Sequence, residues 1–141
     1  MKRLAFLFFI ALLLSSCLTD LSQEDVAKSQ INDILMQIKD GFLEIDVPKI
    51  MSVYDNDYLH KGKNKSDQRF IWQDRLTSFS YLELIDIKID INGDFAVAYF
   101  LAEYSKYGNK TTFIEPDDIG DMSYFRRVNG QWQVYGDQEF Y

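Results

Sequence analysis

Cysteine, histidine and basic charge are all scarce in this chain. Cys17 is the one cysteine in 141 residues, so no disulfide can close within the chain and no metal site can rest on a pair of thiolates. His60 is the one histidine, which excludes a histidine cluster. Lys and Arg number 15 against 22 Asp and Glu, a formal charge of -7, and a nucleic-acid binder needs the opposite balance to neutralise phosphate. No apolar run reaches the roughly 20 residues of an ordinary membrane-spanning helix. There is no internal repeat, low-complexity tract or linker, and the length suits one domain. The Gly62 to Ser66 segment lacks the Gly-x-x-x-x-Gly-Lys frame of a phosphate loop. Glu115, Asp117, Asp118 and Asp121 lack the alternating spacing of an EF-hand, so no metal is expected there, and nothing calls for a cofactor.

What is present is a sheet signature. At 47% hydrophobic the chain can bury a core, and its centre is the stretch Tyr81 to Tyr104. Ile85, Ile87, Ile89 and Ile91 alternate with Asp86, Lys88 and Asp90, the period of a half-buried strand. Asn92-Gly93 suits a type I′ turn, so the Ala-Val-rich arm that follows is predicted to fold back antiparallel. A second hairpin is predicted at the C-terminal end, closed by Asn129-Gly130, with Arg127 opposite Trp132 and Phe125 opposite Val134.

Upstream of this sheet lie helices. Ser22 is placed to cap the first, in which Ala27, Ile31, Ile34, Leu35, Ile38, Phe42 and Ile45 form one apolar stripe. Gly41, inside that stripe, points to a close backbone approach. Asp46 and Pro48 open a short second helix, Tyr58-Leu59-His60 reads as a short strand, and Lys61–Lys65 reads as an exposed basic loop. Ser66 is expected to cap a third helix with Trp72, Leu76 and Phe79 on one face.

The N-terminus resembles a bacterial lipoprotein precursor. Lys2 and Arg3 precede the apolar run Leu4 to Leu14, and Leu14-Ser15-Ser16-Cys17 resembles a lipobox. The resemblance implies a signal peptide over 1–16, lipidation of Cys17, a tether over 17–21 and a domain over 22–141. It also implies anchoring in the bacterial cell envelope, since several acyl chains on one residue hold stably where one does not. Leu18 is not the Asp that retains such proteins at the inner membrane, so an outer membrane is favoured where the organism has one. With Cys17 lipidated, no catalytic thiol remains.

The order helix, short helix, short strand, helix, curved antiparallel sheet resembles the NTF2-like (cystatin-like cone) superfamily, including its SnoaL-like branch. Three segments carry the likeness: Asp46 to His60, Asn92 to Ala98, and Phe125 to Val134. It implies an α+β cone, with N-terminal helices packed on a curved antiparallel sheet. It does not imply one chemistry. The catalytic positions of ketosteroid isomerase fall on Ile38, near Gly62, and on Ser123 or Tyr124, none of which is the required residue, so that activity is excluded.

Two functional readings follow. The first is a lipid-anchored, non-enzymatic module that binds a small apolar molecule or a protein. The second is a SnoaL-like enzyme working by general acid/base chemistry on a small hydrophobic substrate through His60, Tyr58 or Asp57. Tyr58 and His60 share a strand face and, by the resemblance, edge a pocket near Trp72 and Leu76; no buried carboxylate is evident to orient the imidazole. Phe100, Phe125 and Trp132 complete the candidate pocket lining, either filling the cone or enclosing a ligand-sized cavity. Lys61, Lys63, Lys65 and Arg69 form a local basic cluster that could meet anionic headgroups or a carboxylate. Phe95, Val97, Tyr99 and Leu101 are expected on the outer sheet face, where four apolar side chains would suit a homodimer or a partner.

Overall fold

The expected central hairpin forms, with two changes of register. A computed structural model describes residues 2–138, with side chains from residue 23 onward, so the Cys17 side chain lies outside the described residues. Strands Tyr81–Asn92 (β3) and Phe95–Lys106 (β4) pair antiparallel. The turn is Gly93-Asp94 and not Asn92-Gly93: Asn92 is opposite Phe95, and Gly93 alone has positive φ, at 63°. Glycine at the first central position marks a type II′ turn. This moves the pairing by two residues, which leaves the β4 side chains on their expected faces.

The isoleucine row is not continuous. The pairing slips between Ile85 and Lys88, and Asp86 has φ 58°, a β-bulge. Before the bulge Leu82 and Leu84 face the core; after it Ile87, Ile89 and Ile91 pack there, and Ile85 pairs with Leu101 on the other face. The extra residue bends the strand and so helps curve the sheet.

β4 is the spine. Its first residues pair with Tyr124–Val128 (β6), its later ones with Asn109–Glu115 (β5), and β6 pairs with Gln131–Val134 (β7). Arg127 opposes Trp132 and Phe125 opposes Val134, as predicted, with Asn129 and Gly130 at φ 51° and 78° as a type I′ turn requires. Ala96, Ala98, Phe100, Ala102 and Tyr104 point inward and are buried. Phe95, Val97, Tyr99 and Leu101 therefore take the outer face, where Tyr99 is 42% exposed.

The helices cover the inner face. Helix α1 (Lys2–Leu43) runs past Ser22, the residue expected to cap it. Among the described residues no helix is long and apolar enough to cross a membrane. Ala27, Ile31, Leu35, Ile38 and Phe42 make the buried stripe. Ile45 leaves it, because the helix ends in a Schellman turn: Asp46 N donates to Gly41 O at 2.8 Å and Ile45 N to Phe42 O at 3.2 Å. Ile45 therefore occupies the left-handed position usually given to glycine, at φ 58° and 74% exposed. Gly41 makes the close approach expected of it, since a Cβ there would sit 2.8 Å from Ile50 Cγ1 and 3.2 Å from Ile50 N in helix α2 (Val47–Met51).

Leu59–His60 (β1) and Lys63–Asn64 (β2) form a separate hairpin, so the expected basic loop is a tight turn with Lys61 at φ 47° and Gly62 at 76°. Helix α3 (Lys65–Ser78) follows. Asn64, not Ser66, is its N-cap: Asn64 Oδ1 accepts from Ser66 N and Asp67 N, and Asp67 Oδ2 accepts from Asn64 N, a capping box.

Candidate functional site

α3 places two polar residues on its apolar face. Gln68, Trp72 and Arg75 follow the i, i+4, i+7 spacing that points inward, and Gln68 is only 1% exposed. Buried polar groups need partners, and both find the same one. Asp121, on the loop between β5 and β6, receives Arg75 Nη2 at 2.7 Å and Nη1 at 3.2 Å, and Gln68 Nε2 at 2.6 Å. Burial opposes the Arg75 charge, and Asp121 overrides that and raises its pKa. The guanidinium also lies 4.7 Å from the Trp72 ring centroid. Beneath this pair, Trp72 Nε1 donates to Tyr54 Oη at 3.0 Å, and the Tyr54 and Tyr58 hydroxyls reach the Asp121 carbonyl at 3.3 and 3.2 Å. Burial pushes both phenols up, so they act as neutral donors.

The β1–β2 hairpin supplies the opposite wall. His60 Nε2 lies 2.7 Å from the Ile119 carbonyl, so that nitrogen carries the proton. Its Nδ1 faces Asp137 Oδ2 at 3.4 Å, and Asp137 Oδ1 accepts from Lys61 N at 3.2 Å. Asp137, 7% exposed, is thus the buried carboxylate that the sequence did not make evident. Between the hairpin, α3 and the loop opens a cleft of about 350 Å³, with Lys61, Lys63 and Ile71 on its walls and the Arg75–Asp121 pair within it.

Of the residues expected at a pocket, His60 lines this cleft. Tyr58, expected on the same strand face, instead precedes the two-residue β1, is 2% exposed and works from below. Trp72 and Phe125 have no exposed surface, Phe100 and Trp132 are 4% and 5% exposed, and Leu76 packs against the same cluster. Phe42 meets Trp72 and Tyr104 edge-on at 6.3 and 5.6 Å, so interlocked rings fill the cone. Asp57 is turned away, its carboxylate 3.3 Å from Arg126, which also binds the buried Asp55 at 2.7 Å. Gln68, Arg75 and Asp137 were not singled out from the sequence; the visible signal was a polar residue at each of two stripe positions of α3.

One acid behind the loop titrates unusually. Glu115 is 1% exposed, and its Oε2 accepts from Gly120 N at 2.7 Å and Ser123 Oγ at 2.9 Å. Burial, aided by Asp121, pushes its pKa up to about 7 from 4.5. The folded state therefore holds this proton more tightly than the unfolded chain. The associated stability is full below 4.5 and is lost as pH rises through about 7. That loss is on the order of 3 kcal/mol. Glu115→Gln keeps the acceptor without the charge. Urea denaturation is expected to show the variant more stable than wild type at pH 8, with the gap closing toward pH 5; parallel pH profiles would show that Glu115 does not titrate in this window.

With this geometry in place, solved structures supply a comparison. Bd1075 of Bdellovibrio bacteriovorus superposes with a TM-score of 0.63 at 13% identity, over 82% of this chain and 40% of that one. This chain thus spans less than half of Bd1075. An NTF2-like protein of unknown function from Pseudomonas putida matches at 0.59 and 21% identity, covering 79% of this chain and 84% of its own. A protein of unknown function with a cystatin-like fold from Nostoc punctiforme matches at 0.60 and 16%, covering 77% and 86%. The fold is NTF2-like. No family model matches the sequence, and no curated protein does. In this NTF2-like domain the cone interior is occupied by the protein's own aromatic rings, and the cleft lined by His60, Lys61 and Arg75 stays open.

Proposed function

We propose that this chain is a lipid-anchored protein of the bacterial envelope, held by Cys17, whose NTF2-like domain binds a small molecule at the His60–Arg75 cleft without transforming it. One observation carries the reading: the acid/base groups at the cleft are either engaged by the protein or turned away from the open space. Both Asp121 carboxylate oxygens are taken by Arg75 and Gln68, and His60 Nε2 is committed to the Ile119 carbonyl. A general base needs a free lone pair within reach of the substrate proton. With Nε2 protonated the His60 lone pair is on Nδ1, which is buried and faces Asp137 rather than the cleft, so the alternative SnoaL-like enzyme would have to turn the ring first. The lipobox-like Leu14-Ser15-Ser16-Cys17 supports the anchor, and the outer-face row Phe95, Val97, Tyr99 and Leu101 supports pairing of two copies through the sheet.

The full chain, extracted from membranes in detergent, tests this directly. Mass spectrometry is expected to find Cys17 as a diacylglycerol-modified N-terminus; an unmodified start elsewhere removes the anchor. A thermal-shift screen of small metabolites is expected to yield ligands that stabilise wild type but not a variant whose cleft is plugged by Ile71→Trp. The bound ligand should be recovered unchanged, and conversion to a product would establish the enzyme instead. Light scattering over a concentration series separates the paired form from a monomer.

A further inference from the structure

We propose that the cleft selects a small anion, a carboxylate or phosphate monoester head on a short apolar body. This rests on the reading of the cleft as a ligand site and adds the chemistry of what enters it. The argument is a balance of charges around one space. Arg75 and Asp121 cancel one another, because their side chains meet in a two-pronged ion pair. Asp118 turns its Oδ2 to Ile114 N at 2.6 Å, on the strand side of the loop. Lys61 Nζ donates to the Ile119 carbonyl at 3.0 Å, a neutral acceptor that leaves its charge uncompensated. The Lys63 side chain, also on the wall, makes no hydrogen bond or ion pair among the described residues. Among the residues that line the space, Lys61, Lys63 and Arg75 thus stand against Asp118 and Asp121, an excess of one positive charge on a chain whose formal charge is -7. A local positive site in a negative field concentrates anions at that point alone.

The backbone supports the assignment. Lys61 holds φ 47°, a left-handed conformation that costs a side-chain-bearing residue about 1–2 kcal/mol and that glycine would adopt freely. The turn therefore carries a strained lysine where geometry alone would choose glycine, and strain of this kind concentrates at functional sites. Asp137 fixes it by accepting from Lys61 N. Both cations are lysines, point charges without the guanidinium fork, so the site reads charge and not the geometry of one head group. Ile71 and Ile119 supply the apolar contact for the body of the ligand. A volume of about 350 Å³ sits near the lower end of ligand pockets, which suits a short chain and excludes a long one.

His60 is the single histidine, so selective 15N-histidine labelling of the full chain in detergent gives one imidazole as a reporter on the cleft wall. The probes are hexanoate, hexyl phosphate, hexan-1-ol and hexylamine, each referenced to empty micelles. Hexanoate and hexyl phosphate are expected to shift the His60 signals saturably, with hexanol and hexylamine far weaker. Lys63→Gln is expected to weaken hexanoate about tenfold, the loss of one charge-assisted contact. Lys88→Gln, on the outer sheet face, is expected to change nothing. Equal response to the two anions identifies charge as the sole criterion, and a phosphate preference identifies a monoester as the natural head; both support the proposal. If hexanol or hexylamine binds as well as hexanoate, the anion assignment falls and the binding-module reading stands. If none of the four moves His60, both fall. If hexanoate binds Lys63→Gln undiminished, the lysine wall is not what holds it and the proposal is overturned.

Discussion

Replacing Arg75 by leucine is expected to destabilise the chain by about 3–5 kcal/mol, the usual cost of breaking a buried ion pair from one side. Asp121 is 3% exposed and would be left with a full charge and only Gln68 as a charge-neutral donor. The effect would spread, because the Asp121 backbone carbonyl also receives the Tyr54 and Tyr58 hydroxyls, and Tyr54 in turn receives Trp72 Nε1. Adding Asp121→Asn to Arg75→Leu removes the stranded charge and is expected to recover part of the loss, a coupling that separates the ion pair from simple packing. Equilibrium denaturation of the two single variants and the double variant measures it. A loss below about 1 kcal/mol for Arg75→Leu would mean that the pair behaves as a solvent-exposed one and does not anchor the loop.

Gly136→Ala should be comparably damaging for a different reason. A Cβ on Gly136 would lie 2.1 Å from the Leu59 carbonyl oxygen and 2.6 Å from its carbon, and the residue holds φ 89°. Both obstacles are backbone, so no side chain can rotate aside. Overpacking and left-handed strain together set an expected loss of about 3 kcal/mol or more. Gly62→Ala is the control: its φ is 76°, but nothing lies within 4 Å of the added atom, so only the conformational cost remains, about 1 kcal/mol. The His60 imidazole signals should move in Gly136→Ala and stay in place in Gly62→Ala, because Gly136 precedes the Asp137 that faces the ring. Equal destabilisation of the two variants would show that the contact at Leu59 yields.

The fold was legible because its signals are local. Asn129-Gly130 marks its own turn, and the Ala96 to Tyr104 row alternates without interruption, so the register and faces of those strands follow from neighbouring residues. The bulge at Asp86 was also written in the chain, as a change of phase from Leu82 and Leu84 to Ile87, Ile89 and Ile91, but an unbroken row of four isoleucines concealed it. The site was legible only in part. His60 and the lysines beside it could be found by type and strand period. Arg75 and Asp121, 46 residues apart, look separately like a solvated helix charge and one acid among four in a loop. Only the fold brings them into contact, and a buried ion pair has no local pattern. Asp137 was hidden in the same way from Lys61, across 76 residues.

That last separation has a consequence for the order in which the molecule can be made. The turn carrying Lys61 and Lys63 is held in place by Tyr135, Gly136 and Asp137, through the Tyr135 carbonyl on Leu59 N at 3.1 Å and the Asp137 carboxylate on Lys61 N. A chain delivered from its N-terminus presents the hairpin long before it presents this strap. Until residue 137 emerges, the two helices downstream of α1 and the growing sheet can assemble while the ammonium wall has nothing to hold its left-handed turn. A contact of such long range is slow to close and closes last. The cleft is therefore a late product of folding: a chain halted before the strap would carry most of the sheet but not the ordered turn that walls the cleft.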